Sequence, residues 1–265
     1  MPKIEIEGFL SNEAIEGRSV FKERFSDIFE LARYTSRVGM AKIGEVKLTG
    51  IENSKFIIYL LTIRVLESFQ AIIILMEYGM LSSAKLIMRP LLEAMFSLAA
   101  IQKDESLIEQ YFDTQDRAHF ELLKSTTQWK DEVLKAIYKK HKFEKKYIEK
   151  KKELKENPPK TLRPIDWARA ADCEDLYNVY YVYYASFTHS NLSALEDHVD
   201  RYDDDRVDAS FGPNIEGFFD ILRQATAFTL ISLMHMAEAF RLNIDKDSKR
   251  IHESINNLDD KYNVT

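Results

Sequence analysis

Lys85, Arg89, Glu93 and Ser97 recur at four-residue steps through an otherwise apolar stretch, SSAKLIMRPLLEAMFSLAAIQKD. On a helix that spacing sets them on one face as a polar line. The apolar run before it carries Arg64 and Glu67. A buried charge is costly unless it is paired and hydrogen-bonded, so two neighbouring helices that each hold an Arg and a Glu point to an interhelical network. Two readings stay open. One is a structural ion-pair cluster or a stripe that faces solvent. The other is an anion or nucleotide pocket in which Arg89 offers a phosphate two parallel N–H donors. Pro90, next to Arg89, is expected to kink or restart its helix, freeing carbonyls and opening a cleft.

A second group lies in YNVYYVYYASFTHSNLSALEDH, residues 177–198. At helical spacing Tyr177, Tyr181, Tyr184 and Thr188 share one face, and Tyr180, Tyr183 and Phe187 another. Such aromatic stripes are ordinarily core, with each hydroxyl reaching the rim. Ser186 and His189 stand in a Ser-x-x-His spacing. His189 either caps the helix end as a hydrogen-bonding partner or serves proton transfer or phosphate contact. No G-x-S-x-G elbow accompanies it, so serine-hydrolase chemistry is not expected. The acidic tail offers Glu196, Asp197, His198, Asp200, Asp203, Asp204 and Asp205, groups that can hold a divalent cation. Their crowding matches no EF-hand or H-E-x-x-H pattern, and a solvated acidic turn is the reading. No metal and no other cofactor is expected. The run from Lys139 to Lys155 holds nine lysines, Lys145 and Lys146 among them, against three glutamates. It reads as a solvated face or as a contact for an RNA backbone.

These residues need long helices to position them. The 265 residues contain only eight Gly and six Pro, and no glycine occurs between Gly79 and Gly212. That removes the tight turns of a many-stranded sheet and any Gly-rich phosphate cradle from the middle of the chain. The expectation is an all-α bundle of eight or nine helices with long central helices, in one domain whose core spans about 50–242. A charged helical extension covers about 128–156, and NPPKTLRP supplies a flexible linker at 157–164. A first helix runs to about Arg37, with a glycine-containing loop after it through Gly39, Gly44 and Gly50. Thr49 and Glu52 have capping-box spacing before the next helix, which stops at Gly79. The net charge of −6 argues against a broad basic DNA-binding face. The single cysteine, Cys173, excludes an intrachain disulfide and a cysteine zinc site, and a reducing cytoplasm fits. The N-terminal residues do not read as a signal peptide, and no membrane association is expected.

Two stretches resemble a bacterial all-helical family catalogued only as a domain of unknown function. GMLSSAKLIMRPLLEAMFSLAAI, residues 79–101, is similar to its Arg-x-x-x-Glu helix, and WARAADCEDLYNVYYVYYASFTHSNLSALEDHV, residues 167–199, to its Tyr-containing helix with Ser-x-x-His. FGPN at 211–214 fits the continuation. The resemblance implies that Arg89, Glu93, Tyr180, Tyr184, Ser186 and His189 face a common pocket between helices. The family's general form is similar to the HEPN group (higher eukaryotes and prokaryotes nucleotide-binding), which includes ribonuclease toxins and abortive-infection proteins. Those nucleases place a His four to six residues after an Arg on one helix. No Arg of this chain stands so before any of its six His, so the analogy requires Arg89 to meet His189 in space. The resemblance thereby implies a defence- or toxin-type effector with a nucleotide or RNA-phosphate pocket. The alternative is a non-catalytic helical module that binds a partner protein or a second copy of itself.

Overall fold

The computed structural model describes residues 7–188, 192–201, 206–209, 211–213 and 217–262. After a 3-10 turn at Gly8–Leu10 come α1 (Asn12–Arg24), α2 (Ser26–Glu45), α3 (Asn53–Glu77), α4 (Leu81–Lys103) and α5 (Leu107–Thr126). The charged segment forms α6 (Glu132–Lys140) and α7 (Phe143–Glu156), and α8 (Pro164–Ala170) comes next. Helix α9 consists of three consecutive pieces: Glu174–Leu176, a π-helical turn Tyr177–Tyr181, and Val182–Phe187. Then come α10 (Leu192–Glu196), a small antiparallel hairpin of β1 (Val199–Arg201) and β2 (Val207–Ala209), α11 (Phe218–Phe240) and α12 (Asp245–Tyr262). The chain is an all-α bundle, as expected, with twelve helices among the described residues.

Two of the expected helices divide. The first breaks at Phe25, whose ring leaves the helical path to stack on Phe218 with centroids 4.3 Å apart. The charged one breaks at Lys142, which takes a left-handed conformation. After the first break α2 continues through Gly39 and Gly44, which are helical and not in a loop. A Cβ on Gly39 would stand 2.6 Å from Leu66 Cδ2 and 3.2 Å from Leu233 Cδ2. Gly39 therefore sits where α2 presses on α3 and α11, and that contact offsets the roughly 1 kcal/mol a helical glycine costs.

Helix α3 begins with Glu52 at its N-cap and no side-chain cap, so the Thr49–Glu52 box does not form. Its end is as expected. Gly79 at φ 69° lets its own N–H donate to Met76 O and the N–H of Met80 donate to Leu75 O, which satisfies two terminal carbonyls. The chain then turns into α4, and this α3–α4 hairpin is the centre of the molecule. Helix α11 packs against both members and against α2, while α8 and α9 cover α4. Ala94 to Ile101 are all buried. Pro90 neither kinks α4 into two helices nor restarts it. It removes an N–H from the turn that contains Leu86, which is 42% exposed, so water can reach that side. By length and composition alone α3 could cross a membrane; here half of its most apolar window is buried by neighbouring helices.

The proline-rich segment after α7 lies along α5. The N–H of Lys160 donates to Asp113 at 2.8 Å and that of Leu162 to Thr114 at 3.3 Å. Pro164 then opens α8, where Arg163 and Asp166 form a reciprocal cap.

Candidate functional site

The polar line of α4 meets α9 and the turn after α10. Arg89 donates from Nε to Glu93 Oε1 at 3.0 Å and from a terminal nitrogen to Thr188 Oγ1 at 2.9 Å. The Tyr181 hydroxyl donates to the same Glu93 oxygen at 2.8 Å, and the Arg89 guanidinium lies 5.3 Å from the Tyr181 ring centroid. One turn earlier, Lys85 donates to Asp197 at 2.6 Å in a pair that is almost fully buried, with Nζ 4.7 Å from the Phe187 ring. Asp197 is thus held inside the fold and does not belong to a solvated acidic turn.

The electrostatics arise from this packing. Burial pushes the Tyr181 phenol well above its ordinary range, and the bond to Glu93 adds to the rise, so Tyr181 is a fixed donor at any physiological pH. Burial draws Arg89 down, but its bond to Glu93 and the proximity of Tyr181 outweigh that, and its net shift is upward. Two of the five N–H groups of Arg89 are engaged in these two bonds, which leaves others for a ligand.

The π-helical turn selects which tyrosine arrives here. Bonds from i to i+5 insert an extra residue into the turn and rotate the rest of the helix relative to it. Tyr177 and Tyr181 stay together on the α4 side, stacked with centroids 4.7 Å apart beside Phe96. Tyr180 and Tyr184 turn to α11 instead.

Beside Glu93 opens a cavity of about 320 Å³ between α3, α4, α5 and α8. Arg64, Glu93, Ser97, Thr114 and Gln115 supply its polar groups, and Phe96, Tyr111 and Trp167 are aromatic walls. Arg64 is exposed and makes no hydrogen bond or ion pair among the described residues. Pro90 lines the same space, within a helix that stays continuous through it.

With this geometry in hand, comparison with known families is decisive on one point. A family of unknown function, DUF5677, matches residues 55–207. The chain belongs to DUF5677. No curated protein and no solved structure matches it. The DUF5677 region runs from the first turn of α3 through α10, and with it come Arg64, Lys85, Arg89, Glu93, Tyr181, Thr188 and Asp197. Helices α1, α2, α11 and α12 lie outside it.

Within the DUF5677 region the expected site residues divide. Arg89 and Glu93 meet, and Arg64 shares the cavity with Glu93. The expected interhelical ion-pair network does not form: Arg89 pairs within its own helix, and Glu67 is exposed with no partner among the described residues. Tyr184 is fully buried against α11, where its hydroxyl donates to Gln224, and burial raises its phenol too. Tyr180 packs its ring edge-on against Phe228. The Ser186 hydroxyl donates to Tyr183 O within α9. Lys145 and Lys146 are exposed on α7, which packs on α5; their contacts are Glu149 and the Phe143 ring. His189 lies outside the described residues. Among the described residues no cluster of His, Cys, Asp or Glu could hold a metal ion.

Tyr181, Thr188 and Lys85 are the site residues that motif reading missed. The first two stood on the correct helical face in the sequence, and Lys85 stood on the polar line.

Proposed function

We propose that this chain binds a nucleotide or an RNA phosphate in the cleft between α3, α4, α5 and α8, as an effector of the defence or toxin type. The observation that carries the reading is Arg64, an arginine without a carboxylate partner among the described residues, on an aromatic-walled cavity that it shares with Glu93, the residue that holds Arg89. A guanidinium with free N–H groups suits phosphate oxygens, and aromatic walls suit a base. At about 320 Å³ the space is at the small end of ligand sites, which favours a mononucleotide or a single nucleotide of an RNA. The effector role rests on the resemblance to HEPN-type domains, and ribonuclease chemistry would assign charge stabilisation to Arg89 and proton transfer to His189, the residue after Thr188. Titration with adenosine 5′-monophosphate and with a short single-stranded RNA tests binding: Arg64→Ala should weaken it about tenfold or more. Unchanged affinity in that variant defeats the binding reading. Growth and RNA integrity in a bacterial host expressing wild type or His189→Ala tests the nuclease reading, and identical intact RNA in both defeats it.

A second reading has its own observation. Val179, Val182 and Tyr183 lie side by side on the outer face of α9, 60, 53 and 49% exposed. An apolar face of this kind supports a non-catalytic module that docks a partner or a second copy. Light scattering on wild type and Val182→Glu tests it: a monomer in both removes the self-association form of this reading.

A further inference from the structure

The strongest unassigned concentration of charge lies at the border of the DUF5677 match, where α1 and α2, outside it, lean on the end of α3, inside it. Glu77 is 1% exposed, and three cations converge on its carboxylate. Arg18 and Arg33 each pair with it, and Lys22 Nζ is 3.3 Å away. Beside it opens a cavity of about 390 Å³ lined by Arg18, Arg33, Arg37, Ser36 and Gln70, with Ile73 and Ile74 as apolar floor. Arg37 makes no hydrogen bond or ion pair among the described residues; its guanidinium only lies 6.0 Å from the Tyr34 ring.

A buried carboxylate needs compensation, but one negative charge does not account for four positive ones. Lys22 registers the imbalance. Burial lowers its pKa first, and repulsion from Arg18 and Arg33 lowers it further, so the cations sense one another despite Glu77. The side chains of Arg18, Lys22 and Arg33 are between 36 and 46% exposed, which leaves their free N–H groups open to a solute. Glu77 fixes Arg18 and Arg33 in place, and a fixed guanidinium loses less freedom on binding than a mobile one.

We propose that Arg18, Arg33 and Arg37 form a second anion site, for the dianionic phosphate of a phosphomonoester, with Glu77 as the positioning residue that holds two of the three. Counting the groups that line the cavity, three arginines less one carboxylate leave two positive charges, which match a monoester dianion better than a diester monoanion. Ser36 and Gln70, already hydrogen-bonded to each other at 3.0 Å, give neutral polar contacts at the rim. This site shares no residue with the Arg64 cleft and does not depend on the function proposed for it.

The test is calorimetric titration of the full chain with inorganic phosphate, methyl phosphate and dimethyl phosphate, at constant ionic strength set with chloride. Phosphate and methyl phosphate should bind more tightly than dimethyl phosphate. Arg37→Ala, which removes an exposed side chain with no polar partner among the described residues and should fold normally, should weaken both about tenfold or more. Arg37→Lys should restore part of the loss, and Arg64→Ala should change nothing at this site. Binding lost in Arg64→Ala and retained in Arg37→Ala overturns the proposal in favour of the other cleft. Equal affinity for dimethyl phosphate overturns the monoester assignment, and no saturable binding of any of the three overturns the site.

Discussion

Replacing Tyr181 and Tyr184 one at a time by Phe separates the tyrosine that serves the site from the one that serves the core. Each change removes a hydroxyl and keeps the ring, so neither opens a cavity. In Tyr181→Phe the lost bond is to a carboxylate, a class worth about 1.5–3 kcal/mol when both partners are dry. The Glu93 side chain is 41% exposed, so water replaces much of the bond, and about 1 kcal/mol is the expected cost. For a chain of this size that lowers the melting temperature by about 2–4 °C. In Tyr184→Phe the ring is fully buried and Gln224 only partly exposed, so leaving the Gln224 oxygen without this donor costs about 1–3 kcal/mol. The order reverses for ligand binding. Without Tyr181 the Glu93 carboxylate loses one of the two donors that fix it, Arg89 loosens, and affinity for adenosine 5′-monophosphate should fall about fivefold. Tyr184→Phe should leave affinity unchanged. Urea unfolding followed by far-ultraviolet circular dichroism, alongside calorimetric titration, measures both quantities on the same samples. If Tyr184→Phe weakens the ligand while Tyr181→Phe does not, the assignment of faces on α9 is wrong, and with it the role of the π turn.

Other parts of the fold give three further expected outcomes. Gly39→Val should destabilise by about 1–3 kcal/mol in chemical denaturation, because its side chain enters space held by Leu66 and Leu233; an unchanged midpoint would show that α2 stands farther off. Lys85→Met takes the Lys85 ammonium away from the nearly buried Asp197 carboxylate and from the contact that ties α10 to α4, so limited proteolysis should cut faster between Leu192 and Arg201 while the core helices stay protected; an unchanged cleavage rate contradicts this. His235, bonded through Nδ1 to Gln102, has its pKa lowered from 6.5 by burial and then by Lys103, with Glu238 opposing. The unfolded chain therefore takes up that proton first. Stability should fall as pH drops through 6.5 and level off below the folded value, and His235→Gln should flatten this part of the profile; an identical slope in both proteins removes His235 as its source.

The features legible in the sequence were those that depend on local spacing. The helical class, the stop of α3 at Gly79 and the α4 polar line with its Arg89–Glu93 pair all rest on residues within one or two turns of each other. The parts that escaped depend on contacts between distant segments. Gly39 looks like a loop residue until Leu66 and Leu233 are known to press on it. Tyr184 looks like a neighbour of Arg89 as long as α9 is taken as a regular helix. The π turn that separates Tyr181 from Tyr184 divides their bonds between Glu93 on α4 and Gln224 on α11, so it belongs to the packing of three helices and not to the tyrosine stretch alone.

The rule that buried charges must be paired was sound, and the structure obeys it at a different carboxylate. Arg64 and Glu67 lie in a run so apolar that burial was the natural inference, yet both side chains leave the core and need no network. Glu77, at the end of the same helix, is the carboxylate that is sealed in, and Arg18, 59 residues earlier, is one of its cations. Burial of Glu77 is decided by where α1 and α2 land, which no spacing within α3 records. This also explains why the two candidate sites differ in kind. Glu93 is balanced by one arginine of its own helix and remains half open, so its surroundings are near neutral and the useful charge is Arg64 beside it, which has no partner among the described residues. Around Glu77 the cations outnumber the carboxylate, and the excess is itself the feature a ligand would read. Neutralising Glu77 as Glu77→Gln is therefore expected to cost stability, because the fold loses a charge-paired core group, and to weaken phosphate binding in chains that stay folded, because Arg18 and Arg33 lose the carboxylate that holds them. A folded Glu77→Gln protein that binds phosphate more tightly than wild type would show that net charge matters more there than holding Arg18 and Arg33 in place, and would remove Glu77 as the positioning residue.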